Sequence, residues 1–366
     1  MNFSTNRDAL LKPLQVVSGA VERRHTLPIL SNVLIRVSDG ELSMTGTDLE
    51  VELVSKVSLE QATPGELTVP AKKLLDIVRS LPEGSDVKLE ASGDKVILRS
   101  GRSKFTLSSL PASEFPDIDE WDAEVTFEIA RGDLKHLMER THFSMANQDV
   151  RYYLNGMLFE VNEDQLRTVA TDGHRLAMSG MQLEQSGLPQ RQVIVPRKGV
   201  SELMRLLEQD DQIIQVSIGQ NHIRVRSEGM VFTSKLLDGR FPDYRRVLPQ
   251  GGENVVVADR ELLRNACARA SILSNEKFRG VRMNLSPGEL ALTANNPEQE
   301  QAEEAIEVEY QGEPLEIGFN VTYVLDVLNS IQGEQVKFTL IDANSSALVE
   351  DNADDSALYV VMPMRL

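Results

Sequence analysis

One cysteine, Cys267, in 366 residues excludes an internal disulfide. Long apolar runs are missing too. A membrane span needs about 20 consecutive apolar residues, and stretches such as Val54-Ser-Lys-Val-Ser-Leu-Glu60 are cut by charge. The opening Met1-Asn-Phe-Ser-Thr-Asn-Arg-Asp-Ala-Leu-Leu-Lys12 lacks the apolar stretch of a signal peptide, so a cytoplasmic protein is expected. Basic residues are scarce: 38 Lys plus Arg stand against 56 Asp plus Glu. The resulting formal charge of −18 excludes a protein that holds nucleic acid by its net charge. Neither GxxxxGKS/T, GxGxxG nor HExxH occurs, which removes the common phosphate-cradling, dinucleotide and zinc chemistries. No cofactor and no metal are expected. What is present, 41% hydrophobic and 26% charged residues, fits a folded globular chain. At roughly 100–200 residues per domain it holds two or three domains.

The chain repeats itself. Phe3-Ser-Thr-Asn-Arg7, Phe127-Glu-Ile-Ala-Arg131 and Val256-Val-Ala-Asp-Arg260 each run from a strand pattern into a helix. Thr45-Gly-Thr-Asp48, Val169-Ala-Thr-Asp172 and Thr293-Ala-Asn-Asn296 follow at steps of 124 residues (47, 171, 295). Val69-Pro-Ala-Lys-Lys-Leu74, Val195-Pro-Arg-Lys-Gly-Val200 and Phe319-Asn-Val-Thr-Tyr-Val324 each open a second helix. Phe115-Pro-Asp117 and Phe241-Pro-Asp243 close the first two units, and Met362-Pro-Met364 closes the third.

Each unit is itself double: a strand, an amphipathic helix such as Arg7–Val17 or Lys72–Leu81, then alternating segments such as Val33-Leu-Ile-Arg-Val37. Turns at Ser38-Asp-Gly40, Ser92-Gly-Asp94, Gly219-Gln-Asn221 and Ser286-Pro-Gly288 fall at hairpin spacing, which predicts antiparallel sheets. The fold class is therefore α+β with three repeated domains. Boundaries fall at 1–124, 125–252 and 253–366, the second in Pro249-Gln-Gly-Gly252.

Thr171-Asp-Gly-His-Arg175 invites a catalytic reading, since an Asp two residues from a His can orient a general base. Repetition offers a plainer one. Asp172 falls where Asp48 and Asn296 fall, at the end of a strand, where such a side chain caps a turn. On that reading no catalytic residue is expected, and His174 is left for binding. An acidic hydrolase built on Asp172 and His174 is the rival from another class, and a scaffold that touches no DNA is a third reading. Ser274-Asn-Glu-Lys277 matches SxxK without its usual companions. Cys267, among Ala266, Ala268 and Ala270, reads as a small core hydrophobe. Trp121, near the first boundary, suits either core or linker packing.

Five of the six expected helices carry cations: Arg7 and Lys12; Lys72, Lys73 and Arg79; Arg131, Lys135 and Arg140; Arg197, Lys198 and Arg205; Arg260, Arg264 and Arg269. A solvated face explains any one of them. Their recurrence at matched places points to helices that share one cavity, where an acidic protein presents a positive inner wall to a polyanion. Such a ring needs ends that meet. The first unit offers Arg99, Arg102 and Lys104 beside Phe105; the third offers Glu298, Glu300, Glu303, Glu304, Glu307 and Glu309. Exposed ion pairs contribute only about 0–1 kcal/mol each, so apolar contact of Phe105 with Ile272 and Leu273 is expected to carry the affinity.

Gln148-Asp-Val-Arg-Tyr-Tyr-Leu-Asn-Gly-Met157, Thr171-Asp-Gly-His-Arg-Leu176, Val195-Pro-Arg-Lys-Gly199, Asp238-Gly-Arg-Phe-Pro-Asp-Tyr-Arg-Arg-Val247, Ser274-Asn-Glu-Lys-Phe-Arg-Gly280 and Tyr359-Val-Val-Met-Pro-Met-Arg-Leu366 span the chain. In that order they resemble the bacterial DNA polymerase III beta subunits, the sliding clamps of replication. The resemblance implies clamp-fold domains with antiparallel sheets outside and helices lining a central hole, closed into a ring as a head-to-tail homodimer. It implies sequence-independent hold on duplex DNA, and processivity for the replicative polymerase. It implies partners bound through short peptides: that polymerase, the clamp loader, other polymerases and repair proteins.

Family DNA contacts fall on Arg24, Lys73, Gln148, Tyr152 and Tyr153, where Lys73 keeps the charge of an expected arginine without its fork. The family's peptide groove falls on Leu154, Thr171, Gly173, His174, Arg175, Leu176, Pro242, Arg246 and Val247, continuing through Asn320, Tyr323, Val360, Met362, Pro363, Met364 and Arg365. Its apolar side chains and flexible methionines suit leucine or phenylalanine anchors of varied partners, with Arg175, His174 and Asn320 available for polar atoms. Asn344 departs from the small apolar residue expected beside it. At the ring's seam the expected residues are Arg102, Lys104, Phe105, Ile272, Leu273, Glu300, Glu303 and Glu304.

Overall fold

The computed structural model describes residues 1–21, 27–116, 118 and 120–366. Among the described residues six α-helices lie where apolar residues recur with helical period: α1 (Arg7–Val17), α2 (Ala71–Ser80), α3 (Arg131–Glu139), α4 (Arg197–Leu206), α5 (Arg260–Ser271) and α6 (Val321–Ser330). Three are capped at their N-termini by a side chain one residue upstream. The Asn6, Asp259 and Asn320 oxygens accept from the backbone N–H groups of Asp8, Leu262 and Thr322 at 2.8–2.9 Å.

Backbone packing groups the chain into two compact bodies, Met1–Asp133 with Lys198–Leu236, and Leu134–Arg197 with Leu237–Leu366. The first holds a five-stranded sheet in the order Ala62–Thr63, Asn2–Asn6, Asp86–Ser92, Lys95–Ser100, Ser103–Ser108. It also holds an eight-stranded sheet in the order Val125–Ala130, Ile213–Ile218, His222–Ser227, Met230–Lys235, Val51–Ser58, Glu41–Thr47, Asn32–Ser38, Gly65–Pro70. The second holds an eight-stranded sheet in the order Leu188–Pro196, Gly156–Glu163, Gln165–Thr171, Arg175–Gln182, Ala357–Val361, Ala347–Asp351, Gln335–Leu340, Asn254–Asp259. A four-stranded sheet completes it: Gln301–Glu307, Glu289–Asn295, Gly280–Ser286, Leu315–Asn320. The pairings of neighbouring strands in these sheets are antiparallel, as the turns predicted.

In each eight-stranded sheet the central repeat joins a neighbour. Val51–Ser58 pairs with Met230–Lys235, and Arg175–Gln182 pairs with Ala357–Val361. In the second body α5 and α6 pack together over a core of Leu263, Ala266, Cys267, Ala270, Val324, Val327, Leu328 and strand residues including Val281, Phe319 and Phe338. Burial there pushes the Cys267 thiol up to about 12. Trp121 packs in the first body: its ring stacks on His222 at 5.7 Å, with the Arg224 guanidinium 4.9 Å from its centroid. Among the described residues no helix is long and apolar enough to cross a membrane.

The most regular of the repeated cations have structural partners. Arg7 donates through Nε to the Val78 carbonyl at 3.1 Å and through a terminal nitrogen to the Arg79 carbonyl at 3.0 Å, near the end of α2. Arg260 does the same for the end of α6, donating to the Gly333 and Leu328 carbonyls at 2.8 and 3.3 Å. Arg131 pairs with Asp210 and Glu208 beyond α4. A cation at a helix C-terminus satisfies carbonyls that have no intrahelical donor and opposes the negative end of the dipole. Recurrence of Arg7 and Arg260 thus reflects helix capping, and Arg131, at the matching place in the central repeat, is held by two carboxylates instead.

Candidate functional site

The site grows from the join of Arg175–Gln182 to Ala357–Val361, where Leu176 lies opposite Val360. Both are buried with Leu158, Val169 and Ile194, on a sheet face that alternation alone would leave to solvent. The segment after Leu237 crosses that face and contributes Phe241 and Tyr244 to the same cluster. A shallow second core results, and its margin is apolar but open: Val247 is 56% exposed and Met362 48%. Exposed apolar side chains beside a buried apolar floor mark a place for another chain's anchors. The C-terminal residues run alongside, the Met362 N–H donating to the His174 carbonyl at 3.0 Å and Met364 to Gly318 at 2.8 Å.

The Thr171–Arg175 hairpin forms the next edge. The Asp172 carboxylate accepts from the backbone N–H groups of His174 and Arg175 at 2.9 and 3.0 Å, while the Thr171 hydroxyl donates to the Arg175 carbonyl at 2.6 Å. Gly173 sits at φ +88°, a conformation that favours glycine, and a Cβ there would meet the Arg151 guanidinium at 3.0 Å. The first repeat folds identically: Asp48 accepts from Glu50 and Val51 at 2.9 and 2.7 Å, and Thr47 donates to the Val51 carbonyl at 2.9 Å. Asp172 is thus a turn cap, as repetition predicted, and its oxygens are directed at the backbone and at Arg175. Ser274 likewise donates its hydroxyl to the Ser271 carbonyl at 2.7 Å.

Arg175 is committed internally. Its Nε donates to Asp172 at 3.1 Å, its terminal nitrogens to Asp326 and to the Phe143 carbonyl at 2.7 Å, and its guanidinium lies 4.5 Å from the Tyr323 ring centroid. It ties the Thr171–Arg175 hairpin to α6 and to the Phe143 carbonyl, which engages three of its five N–H groups. Asn320 spends its oxygen capping α6, which leaves its amide N–H groups. His174, Pro242, Arg246 and Arg365 are exposed, whereas Leu154 is buried and Tyr323, Pro363 and Met364 are half-buried. Asn344 lies in an exposed turn whose N–H groups are capped by Asp342. Phe278, within the Ser274–Gly280 motif, was not among the expected site residues. It is exposed two residues before Gly280, which pairs with Asn320, and its signal was an aromatic in a polar loop inside that motif.

Comparison of the two repeat joins separates scaffold from function. In the first body the Lys235 N–H donates to the Glu50 carbonyl at 2.8 Å, as Met362 does to His174. There Glu52 lies opposite Thr233 where Leu176 lies opposite Val360, and Lys235 pairs with Glu50 at 3.7 Å. The same backbone therefore carries a polar floor in one place and an apolar one in the other.

Of the expected DNA contacts, Arg24 lies outside the described residues. Lys73 is exposed on α2 with Lys72 and Arg79, and none of the three makes an ion pair among the described residues. In the second body, Gln148, at φ +57°, and the exposed Tyr152 stand on a loop braced by Asp149. Asp149 pairs with Arg151 at 2.9 Å, and its carboxyl is held down to about 2 by that guanidinium and the Arg151 N–H. Tyr153 packs edge-on against Tyr152, 5.8 Å between centroids.

Of the seam residues, Arg102, Lys104 and Phe105 lie on or beside Ser103–Ser108, the last strand of its sheet. Glu303 and Glu304 lie on Gln301–Glu307, also a last strand, with Glu300 just before it. Ile272, 74% exposed, and Leu273 follow α5. Glu304 is engaged by Arg269 at 2.7 and 2.8 Å, Glu303 accepts from Gln301, and Glu300 from Asn296.

Family models described as the N-terminal, central and C-terminal domains of the DNA polymerase III beta subunit match residues 1–119, 128–243 and 245–365. The chain is 58% identical over 368 residues to the beta sliding clamp of Proteus mirabilis and 57% identical over 367 residues to that of Escherichia coli K12, with 100% of each chain covered. The solved DNA polymerase III subunit beta of Pseudomonas aeruginosa matches at a TM-score of 0.98 and 57% identity, covering 100% of both chains. A sliding clamp of that species solved with griselimycin bound matches equally well.

Proposed function

The chain belongs to the DNA polymerase III beta subunit family of sliding clamps, and from that premise we propose how its residues do the work. It is a processivity clamp. It encircles duplex DNA and tethers the replicative polymerase, whose effective concentration at the primer end then rises without any new contact to the base sequence. Two copies close head to tail into a ring of six domains, bounded in each chain at 1–124, 125–252 and 253–366. The open edge of Ser103–Ser108 on one copy receives that of Gln301–Glu307 on the other, with Phe105, Ile272 and Leu273 as the apolar seam. Arg102 and Lys104 face Glu300 and Glu303, and Glu304 serves the seam through its Arg269 pair.

DNA phosphates are met by Lys73 and Arg24 and by the loop bearing Gln148, Tyr152 and Tyr153. Polymerases, the clamp loader and repair proteins dock short peptides into the groove of Leu176, Val247, Val360 and Met362. The protein works in the cytoplasm and breaks no bond; with no nucleotide motif of its own, it leaves opening of the ring to an outside partner.

The observation that carries the groove is the exchange of Leu176, Val360 and Met362 for Glu52, Thr233 and Lys235 on one shared backbone plan. The test is primer extension on a long circular template with polymerase and loader. Wild-type protein lengthens the products, and Met362→Asp does not, although it still forms rings by negative-stain microscopy. Unchanged product length with wild-type protein, or solid particles without a hole, refutes the proposal.

A further inference from the structure

Glu160 is a buried carboxylate that no expectation above included. On strand Gly156–Glu163 it shares a face with Leu158, the face alternation assigns to the outside, yet it is 2% exposed. Its direct cross-strand neighbours, Arg167 and Gln192, both reach back to it, Arg167 at 3.3 Å. From above come the Tyr244 hydroxyl at 2.9 Å and the Arg245 guanidinium at 2.7 Å, the latter also 5.0 Å from the Tyr244 centroid. Tyr244 and Arg245 open the short 3₁₀ turn Tyr244–Val247, whose far end presents Arg246 and Val247 to solvent.

We propose that Glu160 is the positioning residue of the partner groove, holding from beneath the turn that forms the groove's Arg246 and Val247 wall. The inference rests on the groove reading above. Burial alone would lift the Glu160 carboxyl, but hydrogen bonds from Gln192 and Tyr244 and the charge of Arg245 hold it below its ordinary range, so it is ionised at neutral pH. The first repeat supplies a control within the chain. Arg36 stands at the position of Glu160, and there the charge stays at the surface, pairing with Glu66 at 3.1 Å. The first repeat also lays a crossing segment over this face, Phe115 packing with Leu34, yet leaves Arg36 at the surface, so the buried carboxylate is particular to the central repeat, where the floor beside it is apolar. Apolar burial of Tyr244 sets the depth of the turn but not its tilt, which two bonds from Tyr244 and Arg245 to one carboxylate fix, Arg167 and Gln192 holding that carboxylate from the sheet.

The test uses the full-length protein and a fluorescent peptide carrying leucine and phenylalanine, with affinity read by anisotropy and local opening by amide hydrogen exchange. Glu160→Ala weakens peptide binding by about tenfold and Glu160→Gln, which keeps the shape, by less. In both, exchange quickens across 237–248 while Gln335–Leu340 stays protected. Adding Val247→Ala to Glu160→Ala costs less than Val247→Ala costs alone, because the wall is already displaced. Wild-type affinity in both variants, unchanged exchange at 237–248, or a fully additive double variant overturns the inference. Should Glu160→Ala fail to fold, Glu160→Gln decides. Should wild-type protein bind no peptide, the groove reading falls, and the exchange data alone decide whether Glu160 pins the turn.

Discussion

Replacing Arg175 by methionine separates two accounts of the groove. The sequence offered Arg175 as a ligand for a peptide's polar atoms, whereas the structure spends it on Asp172, Asp326, the Phe143 carbonyl and the Tyr323 ring. Its side chain is 12% exposed, against 17% for Asp172 and 32% for Asp326. Removing one partner of a buried ion pair costs about 3–5 kcal/mol. The lower end applies, because Asp326 reaches water and Asp172 keeps two backbone N–H groups, so Arg175→Met loses about 3 kcal/mol. In a body of this size that lowers Tm by roughly 6–12 °C. Arg175→Lys restores a charge without the fork and recovers about 1 kcal/mol. Differential scanning calorimetry and peptide anisotropy, read together, decide. A large fall in Tm with a modest loss of affinity supports the internal latch. An unchanged Tm with abolished binding refutes it and returns Arg175 to the peptide.

The Asp354 carboxyl gives a pH prediction. Burial would raise it, but bonds from the Ser356 hydroxyl and N–H and from Arg140 outweigh that and bring it down to about 2, against 3.8 ordinarily. A lowered folded-state value adds stability above the unfolded value and loses it as pH falls from about 4 to 2; with the side chain 38% exposed, the discounted contribution is about 1 kcal/mol. Asp354→Asn therefore loses this stability at pH 7 and flattens the acid limb of the Tm curve, and parallel curves would contradict it. Cys267, fully buried with its thiol pushed up to about 12, resists iodoacetamide at pH 8 in the folded protein and reacts once guanidinium unfolds it; prompt native labelling would show the core to be open. Lys73→Ala weakens binding to duplexes of unrelated sequence equally and lowers the salt slope by about 1, whereas a sequence-dependent loss would count against phosphate contact.

Local pattern carried much of the fold. The Thr-Asp turns at 47–48 and 171–172 bond their own backbone within four residues, so repetition was enough to identify Asp172 as a cap. Helix positions and hairpins were legible for the same reason, their determinants lying within a turn or two of chain. The charges were less so. Arg7 meets the end of α2 across 71 residues, Arg175 meets Asp326 across 151, and Arg245 meets Glu160 across 85. From sequence each was an available cation, and among the described residues Lys72, Lys73 and Arg79 of α2 have no such partners.

By itself, then, the sequence determined three double repeats, antiparallel hairpins and six helices, because periodicity and turn chemistry act through neighbours. It also held the family's motifs in order. Only the tertiary structure decided which face of Gly156–Glu163 is covered, which arginines are spent on carbonyls, and why Leu176 and Val360 form an apolar floor where Glu52 and Thr233 form a polar one. Whether a charge is free or a hydrophobe exposed depends on what distant segments bring to it, and that is set by packing rather than by adjacency.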